Sequence, residues 1–351
     1  MSQFTPAAAQ AGHQRLARAL LASLSIMTAL PAAATSYSFT TSGTSWDVTR
    51  AAVDVNRSGT VVGYTLDNLT GVSSAFQYAN GVVSDVAGPA GAVSVDLAGI
   101  TDSGVVVGNF STTLEDDGFG NIFPGPTRMF SLANGVYTEV SIPGLDAPYL
   151  GGVSANGRWL LGAAVDGQGQ YRGFAYDTLD STLTSFSGNA TNVIASGIND
   201  LGVVVGYDRT SVPGVGQTGP GWTVDLNTGA RTEFQVAGSL RSGPRDITDT
   251  GVMSGYYYTS LQPAVAHGFT GLNGNFAFFD VPGASQTFVL GANDLGALVG
   301  QYVDADGNAG AFLAVPVPEP ATAAMLLLGL AGLTGVASRR ARHAGSAGAA
   351  G

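Results

Sequence analysis

The sequence predicts an all-β fold, organised as a six-bladed β-propeller over residues 35–315 between a signal peptide and a C-terminal transmembrane sorting helix. Three observations lead to this expectation. Glycine is abundant (51 of 351 residues) and only 11% of residues are charged, a composition that suits short strands and tight turns better than helices. A motif recurs about every 47 residues. Each recurrence is followed by strand-like runs separated by turn residues.

Residues 1–34 have the pattern of a secretory signal peptide. Arg15 and Arg18 form a basic region. The apolar segment 19–30 follows and is too short to span a bilayer as a helix. After Pro31, small residues suit signal peptidase, and we expect cleavage directly after Ala34. The residues of the expected cleavage site are Ala32 and Ala34. A buried helix of the mature fold is the alternative.

The body of the chain is an internal repeat, seen most clearly in the run GINDLGVVVGY that begins at Gly197. The first glycine of each copy falls at Gly59, Gly104, Gly157, Gly202, Gly251 and Gly296, with intervals of 45, 53, 45, 49 and 45 residues. An Asn or Asp side chain three residues before a glycine favours a tight turn, because it caps the backbone and glycine accepts a positive φ. The Val-rich run that follows predicts a strand covered on both faces.

A second strand with a recurring aromatic residue follows each turn. The aromatic positions are Phe76, Phe130, Phe174, Trp222, Phe269 and Phe312. Hairpin signals such as Asn80-Gly81 come next, then a third strand and a short segment that leads into the next turn. About four strands per repeat, six times over, match the blades of a propeller. A pair of β-sandwiches or a solenoid is the alternative.

The positions at which the first and last repeats begin and end predict how the propeller closes into a ring. The last copy ends after the strand 310–315, and an unassigned strand, Tyr37 to Thr41, precedes the first copy. We expect the N-terminal strand to complete the final blade, because this pairing removes two open sheet edges.

The body resembles the HAF-type extracellular repeats of exported bacterial proteins. The tripeptide is degenerate here and is carried by Ser74-Ala75-Phe76, Arg172-Gly173-Phe174, His267-Gly268-Phe269 and Gly310-Ala311-Phe312. The resemblance spans most of the body, and no defined activity comes with it.

Residues 316–343 form a three-part tail, and residues 344–351 are expected to be a flexible extension. A Pro-Glu-Pro motif precedes the apolar span 321–338, which has about the length a bilayer requires, and an arginine cluster follows it. The motif residues are Pro318, Glu319 and Pro320, and the cluster residues are Arg339, Arg340 and Arg342. Arginines after the span would remain on the cytoplasmic side. A plain transmembrane anchor is the alternative.

The tail resembles the PEP-CTERM sorting signal of Gram-negative bacteria in the order and spacing of its parts. The resemblance covers about 25 residues. It implies recognition by an exosortase-type membrane protease that cuts near Pro-Glu-Pro. It also implies a membrane intermediate and display at the cell surface or in the extracellular matrix.

Composition and charge exclude several functions. The body has nine Arg and twenty-four acidic residues, a formal charge of −15, so it would repel a phosphate backbone and we expect no nucleic-acid partner. There is no Cys, so a thiol nucleophile or a Cys-ligated metal is impossible. His267 is the single histidine of the body, and we expect it to serve repeat packing. No cofactor or metal is predicted.

Two acidic segments are candidate ligand or catalytic sites. Residues 304–308 (DADGN) resemble a calcium loop but lack its bidentate Glu, so a polar turn is the better interpretation. Residues 115–117 (EDD) could form a carboxylate cluster, but a surface loop explains them more simply.

The sequence thus favours a non-enzymatic, surface-displayed protein that binds or scaffolds in the envelope or exopolysaccharide matrix. A glycan is the partner that the PEP-CTERM resemblance suggests. Three tryptophans that we expect to be exposed could stack on sugars, although packing is the simpler role: Trp46, Trp159 and Trp222.

The rival hypothesis is a propeller enzyme, a polysaccharide lyase or glycosidase. It requires carboxylates from different blades to meet near the central channel. The candidates are Asp102, Asp200, Asp249 and Asp294. Because these aspartates recur beside the turn of each of their repeats, we expect them to form the turns.

Overall fold

The computed structural model describes residues 36–43, 48–118, 122–145, 147–186 and 192–317. The chain divides into two compact parts, one formed by Tyr37–Pro316 and the other by Met1–Ser36 together with Val317–Gly351. The predicted signal peptide and the predicted span 321–338 lie outside the described residues. In the part that is described, no helix is long and apolar enough to cross a membrane.

All regular structure in the described residues is β, and most of it falls into six consecutive units of four strands each. Unit 1 contains β2 (Val48–Val55), β3 (Val61–Asp67), β4 (Ser73–Ala79) and β5 (Val82–Val86). Unit 2 contains β6 (Ser94–Ile100), β7 (Val106–Ser111), β10 (Arg128–Ala133) and β11 (Val136–Val140). Unit 3 contains β12 (Tyr149–Val153), β13 (Trp159–Val165), β14 (Tyr171–Asp177) and β15 (Thr182–Ser185).

The second half of the body repeats the same order. Unit 4 contains β16 (Asn192–Ile198), β17 (Val203–Val212), β19 (Gly221–Asp225) and β20 (Arg231–Phe234). Unit 5 contains β21 (Arg241–Ile247), β22 (Met253–Leu261), β23 (Ala264–Leu272) and β24 (Asn275–Phe279). Unit 6 contains β25 (Gln286–Ala292), β26 (Leu298–Val303), β27 (Ala309–Val317) and the N-terminal strand β1 (Ser36–Thr41).

The units form a closed ring. The first strand of each unit packs against the unit that follows, and β2 of unit 1 packs against β25 and β26 of unit 6. Units 3 and 4 are also joined by one parallel residue pair, Arg172 with Val193, so that their strands count as a single sheet. A ring of four-stranded sheets with their first strands around a central channel is β-propeller architecture.

The repeat turns form where the sequence predicts, but the residue three positions before the glycine is Asn in only three units and is Thr or Ser in the other three. In unit 4, Asn199 Oδ1 accepts from the backbone N–H of Val203 at 2.9 Å, and Gly202 has φ = 78°. Thr101 and Thr248 make the same contact through a hydroxyl group in units 2 and 5. A side-chain acceptor at the first turn position therefore closes each of these turns.

The second glycine of each repeat sits opposite the recurring aromatic residue on the neighbouring strand. Gly206 pairs with Trp222, and a Cβ added to Gly206 would lie 2.3 Å from the indole ring. The other pairs are Gly63 with Phe76, Gly108 with Phe130, Gly162 with Phe174, Gly255 with Phe269, and Gly300 with Phe312. A Cβ at each of these glycines except Gly255 would lie 2.3–3.0 Å from the opposing ring, so the glycine makes room for the aromatic residue.

The prediction that the N-terminal strand completes the last unit is confirmed. Strand β1 is the neighbour of β27 in the sheet of unit 6. Beyond β1, the Ser42 N–H donates to the Ala311 carbonyl at 2.9 Å, and the Tyr302 hydroxyl donates to the Ser42 carbonyl at 3.0 Å. Both ends of the body therefore share one sheet.

Two short insertions account for the longer repeat intervals. In unit 2, β8 (Leu114–Asp116) and β9 (Ile122–Pro124) form a separate hairpin between β7 and β10. In unit 4, β18 (Gly216–Thr218) pairs with an extended β17. The expectation of a surface loop at 115–117 was therefore wrong in part, because residues 115 and 116 belong to the exposed strand β8.

Candidate ligand site in the central channel

The repeat turns are linked in a hydrogen-bonded ring at one end of the channel. The Asp200 N–H donates to Asp249 Oδ1 at 2.9 Å, and the Asp249 N–H donates to Asp294 Oδ1 at 2.8 Å. The remaining links run from Arg57 to Asp102 and Asp294, from Asp102 to Ala155, and from Asn156 to Asp200. Each unit is thus tied to the next, and unit 6 is tied back to unit 1.

The four aspartates proposed for catalysis are all members of this ring. Each carboxylate accepts a backbone N–H from the preceding turn, and Asp102 and Asp294 also pair with Arg57. Burial raises the pKa of Asp200. Three of them, Asp102, Asp249 and Asp294, line a space of only ≈ 40 Å³. This geometry gives them a linking role between turns, which extends the turn-forming role expected from the sequence.

A second pair of carboxylates, Asp54 and Asp246, lies deeper in the channel. Both occupy β-bulges, and each accepts two backbone N–H groups, including that of Ile100 for Asp54 and that of Ala292 for Asp246. Burial, together with the neighbouring Asp246 charge, raises the pKa of Asp54 well above its ordinary value. Burial raises the pKa of Asp246 to about 7. The space around them is ≈ 20 Å³, so they form a neck in the channel.

Beyond the neck the channel widens into a cavity of ≈ 330 Å³, which we call the central cavity. The first strands of all six units contribute to its wall. Its lining residues are Val53, Tyr64, Leu97, Ala98, Tyr149, Leu150, Gly151, Ser196, Tyr207, Arg209, Arg245, Tyr256, Phe288, Leu290 and Gln301. The lining therefore contains two arginines, four tyrosines and no carboxylate.

The two arginines converge on one phenol. Arg209 Nη2 donates to the Tyr207 hydroxyl at 3.0 Å, and Arg245 Nη1 lies 3.3 Å from the same oxygen. Burial of Tyr207 would raise its pKa, but the guanidinium groups of Arg245, Arg209 and Arg241 outweigh this effect and lower it. The Nε atoms of Arg209 and Arg245 are buried and make no hydrogen bond within the described part of the chain.

Tyrosines and one acid complete the surroundings of the cavity. Tyr149 donates to Asp96, which also accepts from Asn109 at 3.0 Å. Burial raises the pKa of Asp96 despite these hydrogen bonds, and burial raises the pKa of Tyr256 to about 12. The Tyr256 ring meets Phe288 edge to face at 5.1 Å between centroids. The wall thus combines aromatic surface with hydroxyl groups.

Trp159 and Trp222 do not form a sugar-binding surface. Trp222 is fully buried and Trp159 is 8% exposed, so the suggestion that these two are exposed is wrong. Both sit in the core shared by units 3 and 4. The recurring glycine–aromatic pair, here Gly206 with Trp222, holds Trp222 inside its sheet. Trp46 lies outside the described residues.

The remaining candidates have local structural roles. His267 Nδ1 lies 2.9 Å from Asp280 Oδ2, and its ring packs against Tyr257 on the outer side of unit 5. Asp304 Oδ1 accepts from the backbone N–H groups of Asp306 and Asn308, both at 2.9 Å. Residues 304–308 therefore form the polar turn that was expected.

Sequence reasoning missed the central cavity. Its chemistry depends on Arg209 and Arg245, which do not recur in register from one repeat to the next, and on Tyr207, which has counterparts at Tyr64 and Tyr256. A search for repeated positions therefore passes over the two arginines.

Together these features define an all-β propeller with one roomy central cavity. The tail carries a more specific signature, because residues 316–342 match the PEP-CTERM protein-sorting motif. This motif implies an exported protein that associates with the membrane and is processed by an exosortase. All six residues predicted for the sorting motif fall within the match and outside the described structure. Among curated proteins, none matches the chain.

Several solved structures match most of the chain at low identity. A protein assigned as TolB from Agrobacterium tumefaciens is 14% identical, with a TM-score of 0.45 over 77% of this chain and 91% of its own. A structure from a study of two prolyl endopeptidases is 14% identical, with a TM-score of 0.46 over 78% of this chain and 43% of its own. TolB from Acinetobacter baumannii is 9% identical, with a TM-score of 0.38 over 78% and 65%. The strand pairing described above defines the fold without them.

Proposed function

We propose that this chain is an exported, surface-displayed protein without catalytic activity that binds or scaffolds in the envelope or exopolysaccharide matrix of a Gram-negative bacterium. Its six units would be the six blades of one propeller, built from repeats of the HAF type. Signal peptidase would remove residues 1–34, and an exosortase-type protease would act near Pro-Glu-Pro. The match of the sorting motif to residues 316–342 is the observation that carries this proposal.

The arrangement of carboxylates supports a binding role over catalysis. Hydrolysis or elimination on a glycan requires acidic groups that can reach the sugar. The described aspartates nearest the channel axis instead accept backbone N–H groups beside spaces of ≈ 40 and ≈ 20 Å³. Such spaces are large enough for water and not for a sugar residue. The central cavity has no carboxylate in its lining.

The test is the intact mass of the protein recovered from its native host, in membrane and released fractions. We expect the mature form to lack residues 1–34 and everything after the Pro-Glu-Pro region. Glu319→Ala should leave the C-terminus uncut and the protein in the membrane. Glu233→Ala, which removes an exposed acid from strand β20 of the propeller body, should be processed like the wild type. An uncut C-terminus in the wild-type protein would mean that the tail only anchors the protein in the membrane, which would contradict the proposal.

A further inference from the structure

We propose that the central cavity binds one carboxylate-bearing sugar residue, a uronic acid, with Arg209 and Arg245 holding the carboxylate beside Tyr207. This deepens the proposed function, and it rests on that function only for the choice of a sugar acid among organic anions. The anion itself is inferred from the wall of the cavity.

The strongest support is the pairing pattern of the arginines. Five of the nine described arginines form ion pairs with carboxylates: Arg57, Arg128, Arg158, Arg172 and Arg231. The other four, Arg50, Arg209, Arg241 and Arg245, form none within the described residues, although the body carries a formal charge of −15. Of these four, only Arg209 and Arg245 line the central cavity. A guanidinium withdrawn from water without an anion is costly. Two of them on one cavity wall indicate that a ligand supplies the missing negative charge.

The geometry around these arginines suits a planar anion. Both guanidinium groups reach the Tyr207 oxygen and both arginines line the central cavity, so they border one shared space. Each retains a buried Nε–H with no acceptor in the described part of the chain. Bidentate recognition of a carboxylate by a guanidinium uses such N–H groups side by side.

The rest of the wall suits the ring of a sugar. Tyr64, Tyr256 and Phe288 supply aromatic faces, and Gln301 and the tyrosine hydroxyls supply polar groups for ring hydroxyls. The volume of ≈ 330 Å³ lies at the lower end of the range of about 300–1,000 Å³ for small-molecule sites. The neck at Asp54 and Asp246 closes the cavity on the side of the repeat turns. A chain end or a side group of a polymer can enter such a cavity, whereas a continuous strand cannot pass through it.

The experiment compares sugars that differ only at C6. Binding of methyl glucuronide and methyl galacturonide to the full-length chain in detergent is measured by calorimetry or ligand-observed NMR. Methyl glucoside, methyl galactoside and inorganic phosphate serve as the other ligands. We expect at least one uronide to bind at least tenfold more tightly than its neutral counterpart and than phosphate.

The variants test the site itself. Arg245→Gln and Arg209→Gln should each weaken uronide binding by about tenfold or more, the usual scale for one lost charged hydrogen bond. Arg241→Gln is the matched control, because it removes a nearby charge that does not line the cavity and stacks on Tyr258 instead. It should change binding less than about twofold. Arg209 is only half-buried and lies near the C-terminal end of β17, so its variant preserves the test if Arg245→Gln fails to fold.

Several results would overturn the inference. These are equal binding of neutral and acidic sugars, binding of phosphate alone, binding of no uronide, or equal loss in all three variants. Uronide binding by a chain that the host does not process would contradict the proposed function and leave this site intact. Normal processing without uronide binding would contradict the site alone.

Discussion

At the scale of single residues, the channel separates charge by sign over a short distance. Arg245 and Asp246 are neighbours in β21; Asp246 lines the neck and not the central cavity, whereas Arg245 borders the neck and also lines the central cavity. The β-bulge between Pro244 and Asp246 shifts the register at this point, and bulges re-aim side chains in this way. Asp54 and Asp246 are held at the neck by backbone N–H groups, and the arginines are left to face the cavity.

The raised pKa of Asp246 predicts a pH dependence of stability. Unfolded, its carboxyl titrates near its ordinary value of 3.8, and folded it titrates at about 7 because of burial. Between these values the folded state binds more protons, so stability falls as pH rises from about 4 to about 7. Asp54 shares this direction. Asp246→Asn should therefore flatten the decline of Tm between pH 4 and 7 relative to the wild type.

The control for this experiment is Asp306→Asn, which makes the same change in an exposed turn. Its pH profile should run parallel to that of the wild type. Parallel profiles for Asp246→Asn as well would show that the neck carboxyl has no raised pKa in solution.

At the scale of elements, the repeat turns hold the units together through buried side chains. Asn199 is 4% exposed, closes its own turn through Oδ1, and donates through Nδ2 to the Thr248 carbonyl of unit 5 at 3.0 Å. Asn56 and Asn293 make equivalent bonds to the next turn. One asparagine therefore serves both the local turn and the ring.

Asn199→Ala should destabilise the protein by about 1–3 kcal/mol, because it removes the side-chain acceptor of the Val203 N–H and one of the two N–H donors to the Thr248 carbonyl. Urea unfolding measures the change. Leu201→Ala is the matched control in the same turn, since Leu201 is 61% exposed, and it should change stability by less than about 0.5 kcal/mol. Equal effects of the two variants would argue against a linking role for the turn ring.

These elements also show how far the sequence can predict the fold. The turns around Gly202 and Gly251, the Gly206–Trp222 approach and the closing strand follow from local patterns repeated in register. The hairpin β8–β9 and the buried position of Trp159 depend on packing between units. The roles of Arg245 and Asp54 depend on the whole ring, because Arg245 contacts Tyr207, 38 residues away, and Asp54 accepts from Ile100, 46 residues away.

At the scale of the whole molecule, one short N-terminal strand closes the ring. Tyr37 and Phe39 of β1 pack on Phe279, which belongs to unit 5, with ring centroids 5.2 and 5.6 Å apart. The strand therefore joins unit 6 by hydrogen bonds and unit 5 by aromatic contact. Its loss would open a sheet edge and expose part of a core.

Phe39→Ala should lower the free energy of unfolding by about 1.5–3 kcal/mol, the value of burying one such side chain. Because β1 closes the ring, the loss should lower the midpoint of one common transition. Thr40→Ala, at an exposed position of the same strand, is the control and should have little effect. A separate early transition for β1, with the rest unchanged, would mean that the ring does not depend on this closure.

The central claim is that the chain is exported, processed and retained by an extracellular polymer. The most direct measurement is the fraction of processed protein that co-purifies with the extracellular polysaccharide of its native host, with and without synthesis of that polysaccharide. The account predicts that the processed protein is retained with the polymer and is released into the medium when the polymer is missing. Equal distribution of the processed protein in the two strains would contradict it.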